Sequence, residues 1–174
     1  NVAMTLMPGA SSLYFGSGFV AQRGNNWLTG ANPNYNIYAT QDGRYLSVGC
    51  LEKKFWTNLC EVLQRSDLVD LIDDEKNYAY LKQELAQEFG RHTLSEWQER
   101  LAGKDTCVTP VLDFAEAVAA EQTQANEMVL NVHDEELGDY RQLGFAMKLS
   151  KTPAQLRKRA PRLGEDTEAV LGEL

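Results

Sequence analysis

Residues 33–55, PNYNIYATQDGRYLSVGCLEKKF, constrain this chain more than any other stretch. Two strand-like runs, 35–40 and 45–49, flank the dipeptide Asp42-Gly43. Asp-Gly between such runs predicts a β-hairpin closed by a type I′ turn, whose two central residues both need positive φ. Cys50-Leu51-Glu52-Lys53-Lys54 follows at once, and then Phe55, Trp56, Leu59, Val62 and Leu63 recur at helical spacing. Glu52 therefore falls at a strand-to-helix joint, where side chains are commonly presented to a ligand. A carboxylate in the first helical turn also gains about 0.3–1 kcal/mol from the dipole and needs no other purpose.

The remaining chain alternates helical and strand patterns without a regular βαβ array, so the expected class is mixed α/β, of the α+β kind. Tyr78, Leu81, Leu85 and Phe89 line one face of a helix over 77–89, with Gly90 as its C-cap. Thr93 with Glu96 three residues later is a capping box opening a helix through Trp97 and Leu101, and Gly103 stops it. Residues 106–112 read as a buried strand that Pro110 ends or places at an edge. Asp113 can cap a helix through Phe114, Ala117 and Val118. Residues 128–133 and 140–145 are β-like, with Leu137-Gly138-Asp139 as turn material between them. A loop from Ser150 carries Arg157, Lys158, Arg159 and Arg162, and a last helix starts over 163–167.

Chemistry is excluded more readily than assigned. A net charge of −8 and a pI near 4.8 argue against nucleic acid or an anionic membrane as the main partner. Cys50, Cys60 and Cys107 are odd in number and lack CxxC pairing, which speaks against disulfides and zinc and for a reducing, cytoplasmic setting with three buried, inert thiols. No apolar run reaches the length of a bilayer span. The histidines, His92 and His133, stand in no metal-ligand pattern and read as surface residues; Asp73-Asp74-Glu75 reads as a solvated face, so no metal site is expected. The basic run 157–162 is either a solvated counterweight to the acidic chain or a phosphate contact. Residues 1–20 hold Met4, Leu6, Met7, Leu13, Tyr14, Phe15 and Phe19, apolar surface that is expected to dock on something. Gly16-Ser17-Gly18 is a bend rather than a phosphate loop. With no initiator methionine, the chain is expected to begin inside a longer protein.

Several ordered segments then carry a resemblance. Residues 33–56 resemble the class III CoA-transferase (CaiB/BaiF) family, and within it the α-methylacyl-CoA racemase branch: an aromatic pair, T-x-DG-x-x-x-x-VG, and an apolar-Glu step before an aromatic-rich helix. Residues 105–112, DTCVTPVL, resemble the family's D-A-C-V-x-P-V-L. Gln142-Leu143-Gly144-Phe145, Leu149-Ser150-Lys151-Thr152-Pro153 and residues 160–165, APRLGE, are similar to its C-terminal signature. The chain departs from the family at Asp166, where Gly-Glu-His-Thr is usual, although Asp also caps a helix well.

The resemblance implies the C-terminal portion of a two-domain enzyme whose N-terminal Rossmann-like domain is absent. Residues 1–32 would end the large domain and its linker, 33–149 would form the small α/β domain, and 150–174 would return to the large domain, with two chains interlocked as a homodimer. It implies an acyl-CoA substrate, with coenzyme A present as part of it and no covalently bound cofactor. In the racemase branch a His and an Asp, both in the absent portion, exchange the proton next to the thioester carbonyl. The family glutamate that hydrogen-bonds that histidine falls on Glu52, and an aromatic near the acyl-CoA pocket falls on Tyr35. Two alternatives stand beside racemisation: CoA transfer between carboxylic acids through an acyl-aspartyl intermediate, and a structural or dimerisation fragment without activity of its own.

Overall fold

Strands β1 (Tyr35–Ala39) and β2 (Tyr45–Gly49) pair antiparallel with Tyr35 opposite Gly49 and Ala39 opposite Tyr45, as the hairpin pattern requires. The computed structural model describes Gly24 and residues 27–173, so the expectations for residues 1–20 lie outside the described residues. The turn differs from the expected type I′. Thr40 and Arg44 close the ladder at 2.9 Å, the Gly43 N–H donates to the Thr40 carbonyl at 3.0 Å, and Gly43 has φ +73° while Asp42 is not in the left-handed region. This is a three-residue loop ending in a left-handed glycine, which frees Asp42 from the strained position and turns its carboxylate to other donors. It accepts from the Thr40 hydroxyl at 2.5 Å and from the Leu94 N–H at 3.2 Å, while the Gln41 N–H donates to the His92 carbonyl at 2.9 Å. The hairpin tip is thereby tied to the start of a helix some fifty residues away in sequence.

The inner face of this sheet is Tyr38, Leu46, Val48 and then Cys50, all buried. Three helices cover it because their apolar residues share a face. Helix α1 (Lys53–Val62) buries Trp56, Leu59 and Cys60; α2 (Tyr78–Phe89) buries Leu81, Leu85 and Phe89; α3 (Leu94–Leu101) buries Leu94, Trp97 and Leu101. Phe89 anchors the centre, 5.2 Å from both the Tyr38 and Trp97 rings, the latter edge-on. The indoles also spend their N–H groups: Trp56 on the Val69 carbonyl at 3.0 Å, Trp97 on the Phe89 carbonyl at 2.9 Å. The Thr93–Glu96 capping box forms as expected, and Gly103 leaves α3 with φ +68°. Gly90 ends α2 in a right-handed conformation, so it is a cap without the left-handed twist. The strand expected over 106–112 shrinks to β3 (Val108–Pro110), half-buried at the sheet edge beside β2, where a proline costs no ladder bond.

Between α1 and α2 three short 3-10 turns, Ser66–Leu68, Leu71–Asp73 and Glu75–Asn77, hold the acidic stretch. Arg65 is its hub. The guanidinium bonds Asp67 at 2.9 Å, Glu84 at 2.6 Å and Glu88 at 3.2 Å, and these acids hold it firmly charged. Glu88 is only 8% exposed at its side chain and also accepts from Arg91 at 2.7 Å.

Internal contacts divide the chain into two units, the first ending at Val111 and the second beginning at Leu112. In the second unit Asp113 and Glu116 form a reciprocal capping box on α4 (Phe114–Ala119), followed by α5 (Glu121–Ala125), a helix the sequence did not announce. Strands β4 (Val129–Asp134) and β5 (Gly138–Leu143) make an antiparallel hairpin, and a six-residue helix α6 (Thr167–Gly172) lies near the end. At Gly144 a Cβ would collide with the Glu127 carbonyl, so no side chain fits there. The basic run stays largely exposed, and three of its side chains are spent on acids of this chain, as a counterweight to the acidic residues would be. Arg159 pairs with Asp134 at 3.1 Å and Glu165 at 2.8 Å, Lys158 with Asp166 at 2.7 Å, and Arg162 with Glu136. None of the described residues beyond Leu112 is buried.

Two outcomes follow from this packing. Arg65→Met strands the poorly exposed Glu84 carboxylate and leaves Glu88 to Arg91 alone, and should lower unfolding free energy by about 3 kcal/mol in urea titrations at neutral pH. Hydrogen bonds from Thr40 and then Leu94 hold the Asp42 carboxyl below its ordinary value. Its stabilisation is therefore present above the unfolded-chain value near pH ~4 and is lost as pH falls through the lower folded value. Asp42→Asn should be less stable than the parent at pH 6 and should lose less stability than the parent as pH falls from 5 to 3.

Candidate functional site

The joint between β2 and α1 is gripped from several sides. Asn34, 5% exposed, accepts from the Cys50 N–H through its backbone carbonyl at 2.9 Å and donates its side-chain amide to the Cys50 carbonyl, also at 2.9 Å. The Cys50 thiol donates to the Thr106 carbonyl at 2.7 Å, and the Gly49 N–H donates to the Cys107 carbonyl at 3.0 Å. Burial, with the neighbouring Cys107 next in effect, pushes the Cys50 thiol up to about 12, so it stays a neutral donor. Among the described residues the Asn34 side-chain oxygen has no hydrogen-bond partner.

Glu52 leaves this clamp as the N-cap of α1, with φ −78° and ψ 139°, and its carbonyl accepts the Trp56 N–H at 3.1 Å. The side chain is exposed and makes no capping bond. Glutamate is not among the favoured caps, which are the shorter Asp, Asn, Ser and Thr. The carboxylate is thus not spent on its own helix. Nor is it spent on the adjacent lysines. Lys53 Nζ turns to Asp73 at 2.6 Å and Asp70 at 3.3 Å, and Lys54 Nζ turns to Asp105 at 2.5 Å.

Tyr35, the other residue singled out, is half-buried and lies opposite Gly49, three residues before Glu52. It belongs to the sheet face away from the core, together with Ile37 and Tyr45, which are about half exposed or more. Register therefore sets Tyr35 and Glu52 at the same end of the sheet. The two histidines play no part with Glu52. His92 packs edge-on against Trp97 at 5.3 Å and is half-buried rather than at the surface, while His133 is exposed and 2.7 Å from Asp139. Among the described residues no three His, Cys, Asp or Glu side chains gather as a metal site, and no helix is long and apolar enough to cross a membrane.

Sequence reasoning missed Asn34 and Thr106, whose roles arise from buried backbone contacts that leave no periodic signal. It also placed all three thiols inside. Cys50 and Cys60 are buried, but Cys107 is exposed, at a left-handed residue with φ +51°. Slight desolvation, then Asp105 and Glu52, raise its pKa. Iodoacetamide should accordingly modify one thiol of the native chain, Cys107, slowly at pH 7 and faster above its raised pKa; peptide mapping that finds Cys50 or Cys60 labelled without denaturant would contradict this geometry.

Comparisons with known proteins give this joint a family. The sequence model of CoA-transferase family III matches residues 1–167. The human protein named alpha-methylacyl-CoA racemase is 33% identical over 155 residues, covering 88% of this chain and 40% of that protein. The succinyl-CoA–L-malate CoA-transferase beta subunit of Chloroflexus aurantiacus is 27% identical over 144 residues, 79% of this chain and 36% of that one. Among solved structures, a CAIB/BAIF family protein from Brucella suis shares the fold with a TM-score of 0.65 at 23% identity, over 92% of this chain and 42% of that chain. The chain spans about two fifths of the length of the curated racemases it matches. With a family match that runs through both units, this chain belongs to CoA-transferase family III.

Proposed function

We propose that the whole protein to which this chain contributes racemises or epimerises a 2-methyl-branched acyl-CoA. The observation that carries this reading is the Glu52 carboxylate, exposed at the strand-to-helix joint and uncommitted to its own helix or to Lys53 and Lys54. A carboxylate so placed can accept the N–H of an imidazole, fix its tautomer and stabilise its protonated form. The histidine and the aspartate that would pass the proton belong to the portion of the protein beyond this chain. One removes the proton from the carbon next to the thioester carbonyl, the enolate forms, and the other returns a proton to the opposite face. Tyr35 would border the acyl-CoA pocket at the same end of the sheet.

The same reading covers the architecture. Residues 33–149 form the small domain, 1–32 end the linker and 150–174 return to a Rossmann-like large domain, in an interlocked cytoplasmic homodimer that binds acyl-CoA and no covalently attached cofactor. The second unit supports it: Phe114, Leu143 and Met147 are 79%, 72% and 66% exposed, apolar surface suited to meeting the rest of the enzyme. The isolated chain would then be inactive.

A second reading, CoA transfer between carboxylic acids through an acyl-aspartyl intermediate, is favoured by the relatives that carry transferase names. It does not require Glu52. The whole protein incubated with a 2-methylacyl-CoA in heavy water should exchange the α-proton, and Glu52→Gln should slow that exchange at least about tenfold. Absence of exchange in the parent, with CoA transfer to a second carboxylate retained in Glu52→Gln, would replace racemisation with transfer.

A further inference from the structure

Glu52 is flanked by two lysines, and its use as an acceptor depends on where their ammonium groups go. Each ammonium sits on a flexible four-carbon stem rooted one or two residues from the carboxylate. Neither bonds it. Lys53 is drawn to Asp73 at 2.6 Å and Asp70 at 3.3 Å, and Lys54 to Asp105 at 2.5 Å. These acids come from elsewhere in the fold: Asp70 and Asp73 from the 3-10 turns after α1, Asp105 from the loop that leads into β3. The Asp105 loop is itself fixed, because Asn58 of α1 donates its side-chain amide to the Asp105 carbonyl at 2.7 Å.

We propose that Asp105 and Asp73 are positioning residues that hold the ammonium groups of Lys54 and Lys53 off the Glu52 carboxylate. This rests on the role given to Glu52 above. The pairs are poorly suited to a purely stabilising purpose. Lys53 and Lys54 are 47% and 69% exposed at their side chains, and Asp73 and Asp105 are 66% and 59% exposed; such pairs contribute little to folding. Their effect on Glu52 is larger in kind, since a carboxylate already neutralised by an ammonium accepts a proton-bearing imidazole less well. Among the described residues the thiols of Cys50 and Cys107 feel the Glu52 charge, Lys53 and Lys54 adjoin it in sequence, and Tyr35 stands at the same end of the sheet. Bonds to Asp73 and Asp105 raise the two lysine pKa values, and with those bonds gone an ordinary lysine is still charged near neutral pH and would compete.

The test is a mutant cycle on the whole protein, read as the pH profile of α-proton exchange. Glu52→Gln is the reference: without its carboxylate the imidazolium is less stable, and the acid limb moves to lower pH. Asp105→Asn should move the limb the same way by a few tenths of a pH unit and slow exchange about two- to fivefold, the scale of one exposed ion pair. Asp105→Asn with Lys54→Met should restore both, because the released ammonium is gone. Asp73→Asn and its double variant with Lys53→Met should behave alike, and thermal melting should be nearly unchanged throughout. If Glu52→Gln shifts the profile but Asp105→Asn and Asp73→Asn do not, or if the double variants stay impaired, the positioning role is overturned while the Glu52 role stands. If Glu52→Gln itself leaves the profile unmoved, the Glu52 assignment falls and takes the positioning role with it.

Discussion

Everything informative about the first unit depends on how Cys50 is held. Its N–H and carbonyl both bond Asn34, and its thiol bonds the Thr106 carbonyl. Residue 50 is where the β-ladder has ended and the helix has not begun, so neither secondary structure satisfies its backbone groups. Asn34 does so from both sides and fixes the direction in which the chain enters α1. The far end of the same hairpin is tied by Asp42 to Leu94 and by Gln41 to His92. A two-stranded hairpin is marginal alone, but one anchored at both ends, with a third strand and three helices on its inner face, is a rigid platform. Glu52 stands on that platform as a side chain with its geometry decided and its hydrogen bonds left open.

Much of this was legible in the residues. The 3.6-residue spacing of Trp56 and Leu59, or of Leu81, Leu85 and Phe89, announces which helix faces are buried, and the Thr93–Glu96 and Asp113–Glu116 pairs announce where helices start. What failed was of another kind. The turn at Asp42-Gly43 is governed by how many residues close the loop, and a distant helix start competes for the Asp42 carboxylate. The exposure of Cys107 depends on a single left-handed residue, and the pairing of the basic run depends on acids in a hairpin that sequence distance hides. Glu52 itself was visible as a position, through strand, joint and helix. Its freedom was not, since that rests on where Lys53 and Lys54 point.

The family match and the exposed glutamate meet at a common physical point. A protein that exchanges a carbon-bound proton needs a base whose protonated form is stabilised, and a lone carboxylate on a fixed support provides such stabilisation without moving a proton itself. The transferase relatives show that family membership alone does not select that chemistry.

The β4–β5 hairpin differs from its counterpart in one respect that bears on time rather than on geometry. No described residue of the second unit is buried, so its hairpin is held by the ladder and by ion pairs such as Arg159 with Asp134 rather than by a packed core. Openings of such a hairpin cost little free energy, and hydrogen exchange there runs on the clock of local fraying, whereas β2 opens only when the core around Leu46 and Val48 opens with it. Two hairpins of the same topology thus keep different clocks, and the slower one carries the glutamate.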